Sequence, residues 1–111
     1  MTVQALIESQ VFTLINKGDT LQREITAPFC CDLLSIAMGK APSGCGWVTV
    51  MGNVNTLAVA ALTDAACVIL AEGITPEDAV VKKAKEQSIT VFQTEMSVFE
   101  AALTLYQMLH D

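Results

Sequence analysis

Three carboxylate residues, Asp32, Glu72 and Glu95, each stand at or close behind the end of an apolar run in this 111-residue chain. If those runs are strands of one parallel sheet, their carboxyl ends share an edge, and the three side chains become a weak candidate for a hard divalent cation or an acid/base pair. They read more simply as a helix cap (Asp32) and solvated loop residues (Glu72, Glu95), because no metal-ligand spacing accompanies them. The segment V-T-V-M-G-N-V-N-T-L, Val48 to Leu57, carries a second possibility. A strand, a glycine turn and a helix start capped by Asn53 or Asn55 leave amide groups at the same edge, where an anion can be held. The segment has no G-K-[ST] and one glycine where a dinucleotide fingerprint has three, so it is neither a Walker loop nor that fingerprint. The plainer reading is an ordinary βα turn with its cap.

Nucleophilic catalysis finds little support. His110 is the only histidine and is next to last in the chain, where fraying makes a poor catalytic base. Cys30, Cys31, Cys45 and Cys67 lack the close-spaced pairs of a zinc site or a disulfide framework, so they read as free thiols and small hydrophobes.

The elements that must position these residues repeat one unit from about Ile25 onward: an apolar run, a short polar turn and a helical stretch with a start signal. The pattern predicts strands at Ile25 to Cys30, Trp47 to Met51, Cys67 to Ala71 and Ile89 to Gln93. Helices are expected at Asp32 to Met38, Asn55 to Thr63, Pro76 to Gln87 and Val98 to Leu109. An opening helix capped by Thr2 and a strand at Val11 to Ile15 precede them. Thr75 before Pro76, with Asp78 three residues on, reads as a cap with proline in the first helical position, and Ser97 with Glu100 reads as a capping box. Right-handed crossovers then give an α/β single domain whose mostly parallel sheet has about four to five strands flanked by helices.

Leu57 to Leu62 is apolar on every side, and Val98 to Leu109 keeps only a thin polar stripe, whereas Lys82, Lys83, Lys85 and Glu86 cover the helix before it. The first two helices carry more apolar surface than one sheet face covers. A homodimer through Leu57, Val59, Leu62, Leu105 and Leu109 is therefore expected, the alternative being cover from the N-terminal helix and first strand.

The length is that of one domain, and a 52% hydrophobic composition fills its core without metal or disulfide staples. A net charge of -6 with no basic patch argues against nucleic acid. The longest apolar run, Ala65 to Ala71, is far short of the roughly 20 residues that cross a bilayer, and Glu8 interrupts any secretory leader, so no membrane partner and a cytoplasmic location are expected.

G-D-T-L-Q-R-E-I-T (Gly18 to Thr26) and C-D-L-L-S (Cys31 to Ser35) resemble the DRTGG domain, which is related to the N-terminal domain of HPr kinase/phosphorylase. Gly18, Leu21 and Arg23 match the family's early signature, and Trp47 to Leu62 matches its strand, turn and alanine-rich helix. The naming signature is largely degenerate: its Asp-Arg pair falls at Asn53 and Val54, and its Thr-Gly-Gly falls at Ala71, Glu72 and Gly73. The resemblance implies an α/β domain, elsewhere appended to modules such as CBS domains, a family pyrophosphatase or a phosphate acetyltransferase, with a regulatory or associative role.

The reading that follows is a non-enzymatic regulatory or interaction domain acting as a homodimer, without cofactor, that modulates a separate protein. The alternative is a sensor binding a nucleotide or other anionic metabolite at Gly52, Asn53, Asn55, Glu72, Gly73 and Thr94.

Overall fold

In the computed structural model, which describes residues 1–111, the chain runs α1 (Val3–Ser9), β1 (Thr13–Asn16), β2 (Pro28–Cys30), α2 (Leu34–Lys40), β3 (Gly46–Thr49), α3 (Val54–Leu62), β4 (Cys67–Leu70), α4 (Asp78–Gln87), β5 (Val91–Gln93) and α5 (Val98–His110). The five strands form one sheet in the order β1-β5-β4-β3-β2. Strands β2 to β5 are parallel, and β1 closes one edge antiparallel to β5. The repeated βα unit thus becomes a two-faced sheet with helices on both sides.

Alternation along the central strands divides the core in two. Val48, Cys67, Ile69 and Phe92 face α1 and α5, where they pack with Val3, Leu6, Ala101 and Leu105. Trp47, Val68, Leu70 and Val91 face the other way, against Leu57, Ala60, Val80 and Ala84 of α3 and α4. Because both faces are covered, β3 and β4 are buried at every position, the apolar run of β4 and the polar Thr49 of β3 alike.

The caps decide several boundaries. Thr2 Oγ1 accepts from the Ala5 amide and starts α1, and Ser97 Oγ accepts from the Glu100 amide and starts α5. Helix α4 begins at Asp78, two residues beyond Pro76, with no side-chain cap. Thr75 does not cap it, because its hydroxyl sits beside Gln93, whose Nε2 donates to Ile74 O at 2.8 Å. Asp32 does not cap α2 either; that helix starts after Leu33 without a side-chain cap. Strand β2 is shorter than the apolar run Ile25 to Cys30, since the Ile25 amide bonds Met1 O and the Thr26 amide bonds Gly44 O. Strand β5 starts at Val91, because the Ile89 amide closes the end of α4 on Ala84 O.

Burial corrects the expected dimer face. Leu57 and Leu105 are buried, and Val59 is nearly so, all within the chain's own core, so none of the three is available to a second copy. The sheet takes up that side of both helices. Leu109 is half buried against the same core, and Leu62 alone of the five is largely exposed, at 72%. The exposed apolar face of α5 is instead Phe99, Leu103 and Tyr106, 71%, 41% and 50% exposed. Their spacing of four and three residues puts them on one side of the helix.

Candidate functional site

At the carboxyl edge of the sheet, the turn after β3 is held from both sides. Asp32 Oδ1 accepts from Thr49 Oγ1 at 2.7 Å and from the Val50 amide at 3.0 Å, tying the end of β2 to the end of β3. Asn53 is the cap of α3: its Oδ1 accepts from the Asn55 and Thr56 amides at 3.0 and 3.2 Å. Two of the amide groups that could hold an anion are therefore occupied by the chain's own side chain. Asn55 does not cap the helix. Thr56, in the first turn of α3, buries its hydroxyl oxygen without a hydrogen-bond partner.

Glu72, Gly73, Thr94 and Glu95 are brought together by the loop after β4. Glu72 and Gly73 both have left-handed backbone (φ 61° and 70°), which lets their amides donate to Met96 O and Thr94 O at 2.8 and 2.9 Å. Glu72 Oε2 accepts from the Val98 amide at 3.1 Å, satisfying the first turn of α5. The Glu95 carboxylate lies where a side chain on Gly73 would project, so the loop takes glycine for its torsion and for its space. Gly52 packs on the same loop, with Ile74 Cγ2 3.0 Å from where its Cβ would be. The expected ligand residues thus share one edge, with one carboxylate, Glu72, among them and that of Glu95 beside them.

Asp32 does not join Glu72 and Glu95 in a cation site, and no three metal-ligating side chains in the chain converge on one point. The strand order explains the separation: β3 lies between β2 and β4, so the ends carrying Asp32 and Glu72 are two strand spacings, about 10 Å, apart. Asp32 and Glu72 are also each engaged with backbone amides.

The concavity of the molecule, about 230 Å³, opens at the opposite edge, where β4 and β5 begin. Its walls are the ends of α3 and α4 and the loop between β1 and β2, which brings Asp19, Thr20 and Arg23. Gly18 seats that loop: its amide donates to Thr90 Oγ1 at 3.0 Å, and its Cα lies so close to Ser88 O that no side chain fits between. Arg23 then reaches Asp64 with Nη1 on Oδ1 at 2.9 Å and Nη2 on Oδ2 at 2.7 Å, while Nη2 also donates to Ser43 Oγ. Asp64 itself has left-handed backbone, φ 62°, at the turn after α3. The guanidinium and the Ser43 hydroxyl hold the Asp64 carboxyl well below the usual carboxylate range, and the Arg23 pKa rises in return. Arg23 and Gly18 carried the resemblance, but the sequence held no sign of Asp64 as partner or of a hollow at the strand starts.

The thiols lie apart from the one histidine: Cys30 and Cys31 stand at the end of β2, Cys45 and Cys67 lie beside one another at the strand starts, and His110 ends α5. Burial pushes the thiols of Cys45 and Cys67 up to about 11 and about 12, and Cys30 is raised by burial and by the charge of Asp32. His110 stacks on Tyr106, and its Nδ1 lies 2.8 Å from the Tyr106 carbonyl. No helix is long and apolar enough to cross a membrane.

The family model of the DRTGG domain matches residues 32–108. The matched span begins after Gly18, Leu21 and Arg23. Among solved structures, the fold is similar to the CBS and DRTGG domains of the regulatory region of a Clostridium perfringens pyrophosphatase, complexed with its activator diadenosine tetraphosphate. The TM-score is 0.77 at 15% identity, and the match covers 96% of this chain and 46% of that one. The chain therefore spans less than half the length of that relative. No curated protein matches.

Proposed function

The chain belongs to the DRTGG domain family, and from that premise we propose that it is a non-enzymatic regulatory module that works as a homodimer and modulates a separate protein. The observation that carries this reading is the stripe Phe99, Leu103 and Tyr106 along the outer face of α5. Two copies of a chain with net charge -6 repel one another over most of their surfaces. The α5 face is one where they can approach at little like-charge cost, since Glu100 is the only charged residue between Val98 and Leu109. An isologous contact of this uncharged stripe with itself buries apolar surface without stranding a charge. The stripe replaces Leu57, Val59 and Leu105, which the core has already consumed.

A non-catalytic role agrees with the burial of Cys45 and Cys67 and with the stacking of His110 on Tyr106. The pyrophosphatase relative supports regulation because its matching domain lies in a regulatory region.

A second reading, the sensor of a nucleotide or other anionic metabolite, is favoured by the diadenosine tetraphosphate in that relative's structure. It places the ligand at the carboxyl edge, with Gly52, Asn53, Asn55, Gly73 and Thr94 against the phosphates. Glu72 and Glu95 oppose an anion there, so their carboxylates would have to turn outward or share a cation with the ligand.

Mass by light scattering across a concentration series tests the first reading, with Leu103→Glu as the variant. The expected result is a dimer that Leu103→Glu converts to a folded monomer whose melting temperature no longer depends on concentration; a wild-type monomer at every concentration overturns it. A rise in melting temperature with ATP that Asn53→Ala abolishes, compared at each variant's own baseline, would establish the sensor instead.

A further inference from the structure

We propose that the concavity at the strand starts is a binding site for a small organic cation, an aliphatic ammonium, separate from the α5 face and from the carboxyl edge. Both α3 and α4 end at this hollow, with Ala61 and Gln87 on its wall. Each helix turns the negative end of its dipole, roughly half a charge, toward the hollow, that of α4 being partly offset by Lys85 in its last turn. Asp19 adds a full negative charge and has no hydrogen-bond or ion-pair partner within the chain, whereas the charge of Arg23 is matched by Asp64.

The fork of Arg23 is spent. Nη1 is on Asp64 Oδ1, and Nη2 is shared among Asp64 Oδ2, the Asp64 carbonyl and Ser43 Oγ. An anion could use this arginine only by displacing a carboxylate already held in two-point geometry. A cation needs no displacement: Asp19, the Gln87 side-chain carbonyl and the Ser88 hydroxyl all accept. Ala60, Ala65, Ala66 and Ile89 supply an apolar wall for the carbon stem of an alkylamine. A volume of about 230 Å³ is below the span of roughly 300 to 1,000 Å³ typical of drug-sized ligands, so the occupant is a short amine.

The test is an amide-resolved NMR titration of the whole chain with butane-1,4-diamine, with butane-1,4-diol as the neutral isostere and inorganic phosphate as the anion, at constant ionic strength. The expected result is saturable shifts at the amides of Asp19, Thr20, Ser88 and Thr90 with the diamine only, weakened about tenfold by Asp19→Asn, as for loss of a charged hydrogen-bond partner. Asp19 lies on an exposed loop and makes no internal bond, so this variant keeps the fold. Equal shifts with the diol, shifts spread without saturation over the acidic surface, tighter saturation by phosphate at these amides, or indifference to Asp19→Asn would each overturn the assignment. A parallel titration with N-acetyl-lysine methylamide separates the two sources of an ammonium. Tighter binding of the diamine assigns a free amine, and tighter binding of the lysine derivative assigns a side chain of another protein.

Discussion

Arg23 grips Asp64 across 41 positions of sequence with two parallel bonds, 2.9 and 2.7 Å long, and so clamps the loop after β1 onto the turn after α3. The pair is partly exposed, with the Asp64 side chain 60% accessible, so water screens much of its worth. Its effect is positional: it sets the wall of the hollow. Arg23→Ala is expected to lower the melting temperature by only a few degrees while broadening the amide signals of residues 18 to 23, measured by calorimetry and NMR.

The same pair sets an acid limb. The folded pKa of Asp64 lies below its ordinary value of 3.8, so its contribution to stability is complete above that value. It shrinks as the pH falls further, and is gone once the folded group is protonated too. Urea denaturation from pH 6 to pH 2 should therefore show a stability loss below pH 4 that is smaller in Asp64→Asn, a replacement that keeps the left-handed backbone accessible.

Leu105 is fully buried in the core that α1 and α5 share, and its Cδ2 comes within 2.6 Å of where a side chain on Gly46 would project. Leu105→Ala should cost about 2 to 5 kcal/mol by urea denaturation, the range for truncating a core leucine. Gly46→Ala should cost about 1 to 3 kcal/mol by overpacking the same contact.

The thiols should divide by accessibility. Cys45 and Cys67 are buried and pushed up to about 11 and about 12, whereas Cys30 is exposed and Cys31 half buried. A disulfide reagent at pH 8 should titrate at most two thiols in the native protein and all four in denaturant. Because the Cys30 pKa is raised, its reaction should keep accelerating above pH 9.

In the cap of α5, Ser97 Oγ accepts from the Glu100 amide and donates to Glu100 Oε1, each at 3.1 Å, so the Glu100 side chain meets the hydroxyl and not the Ser97 amide of a full capping box. Ser97→Ala should destabilise by about 1 kcal/mol in chemical denaturation. If the α5 stripe is the dimer face, the same variant should weaken dimerisation little, since the stripe lies beyond the cap.

Much of the architecture was legible in the chain itself. Apolar runs such as Val68 to Leu70 cannot be exposed on either face, so helices had to cover both sides of the sheet. The cap of α5 was equally plain, because Ser97 and Glu100 act over three residues. Thr75 and Asp32 misled for a physical reason. A cap competes with any other donor or acceptor the fold brings near, and Gln93 and Thr49 come from distant strands.

Local signals are written in neighbouring residues, and they determined the α/β class, the order of elements and the start of α5. Which leucines are spent in the core, where the hollow lies and which carboxylates stay unpaired were decided only by the tertiary structure. Leu57 and Leu62 are alike in sequence and differ only in which side of α3 meets the sheet. Asp19 and Asp64 are both loop aspartates, and only the close seating of Gly18 on Ser88, which brings Arg23 within reach of one, leaves the other free. Both distinctions arise from contacts between segments far apart in the chain, whose energies depend on geometry that no local pattern specifies.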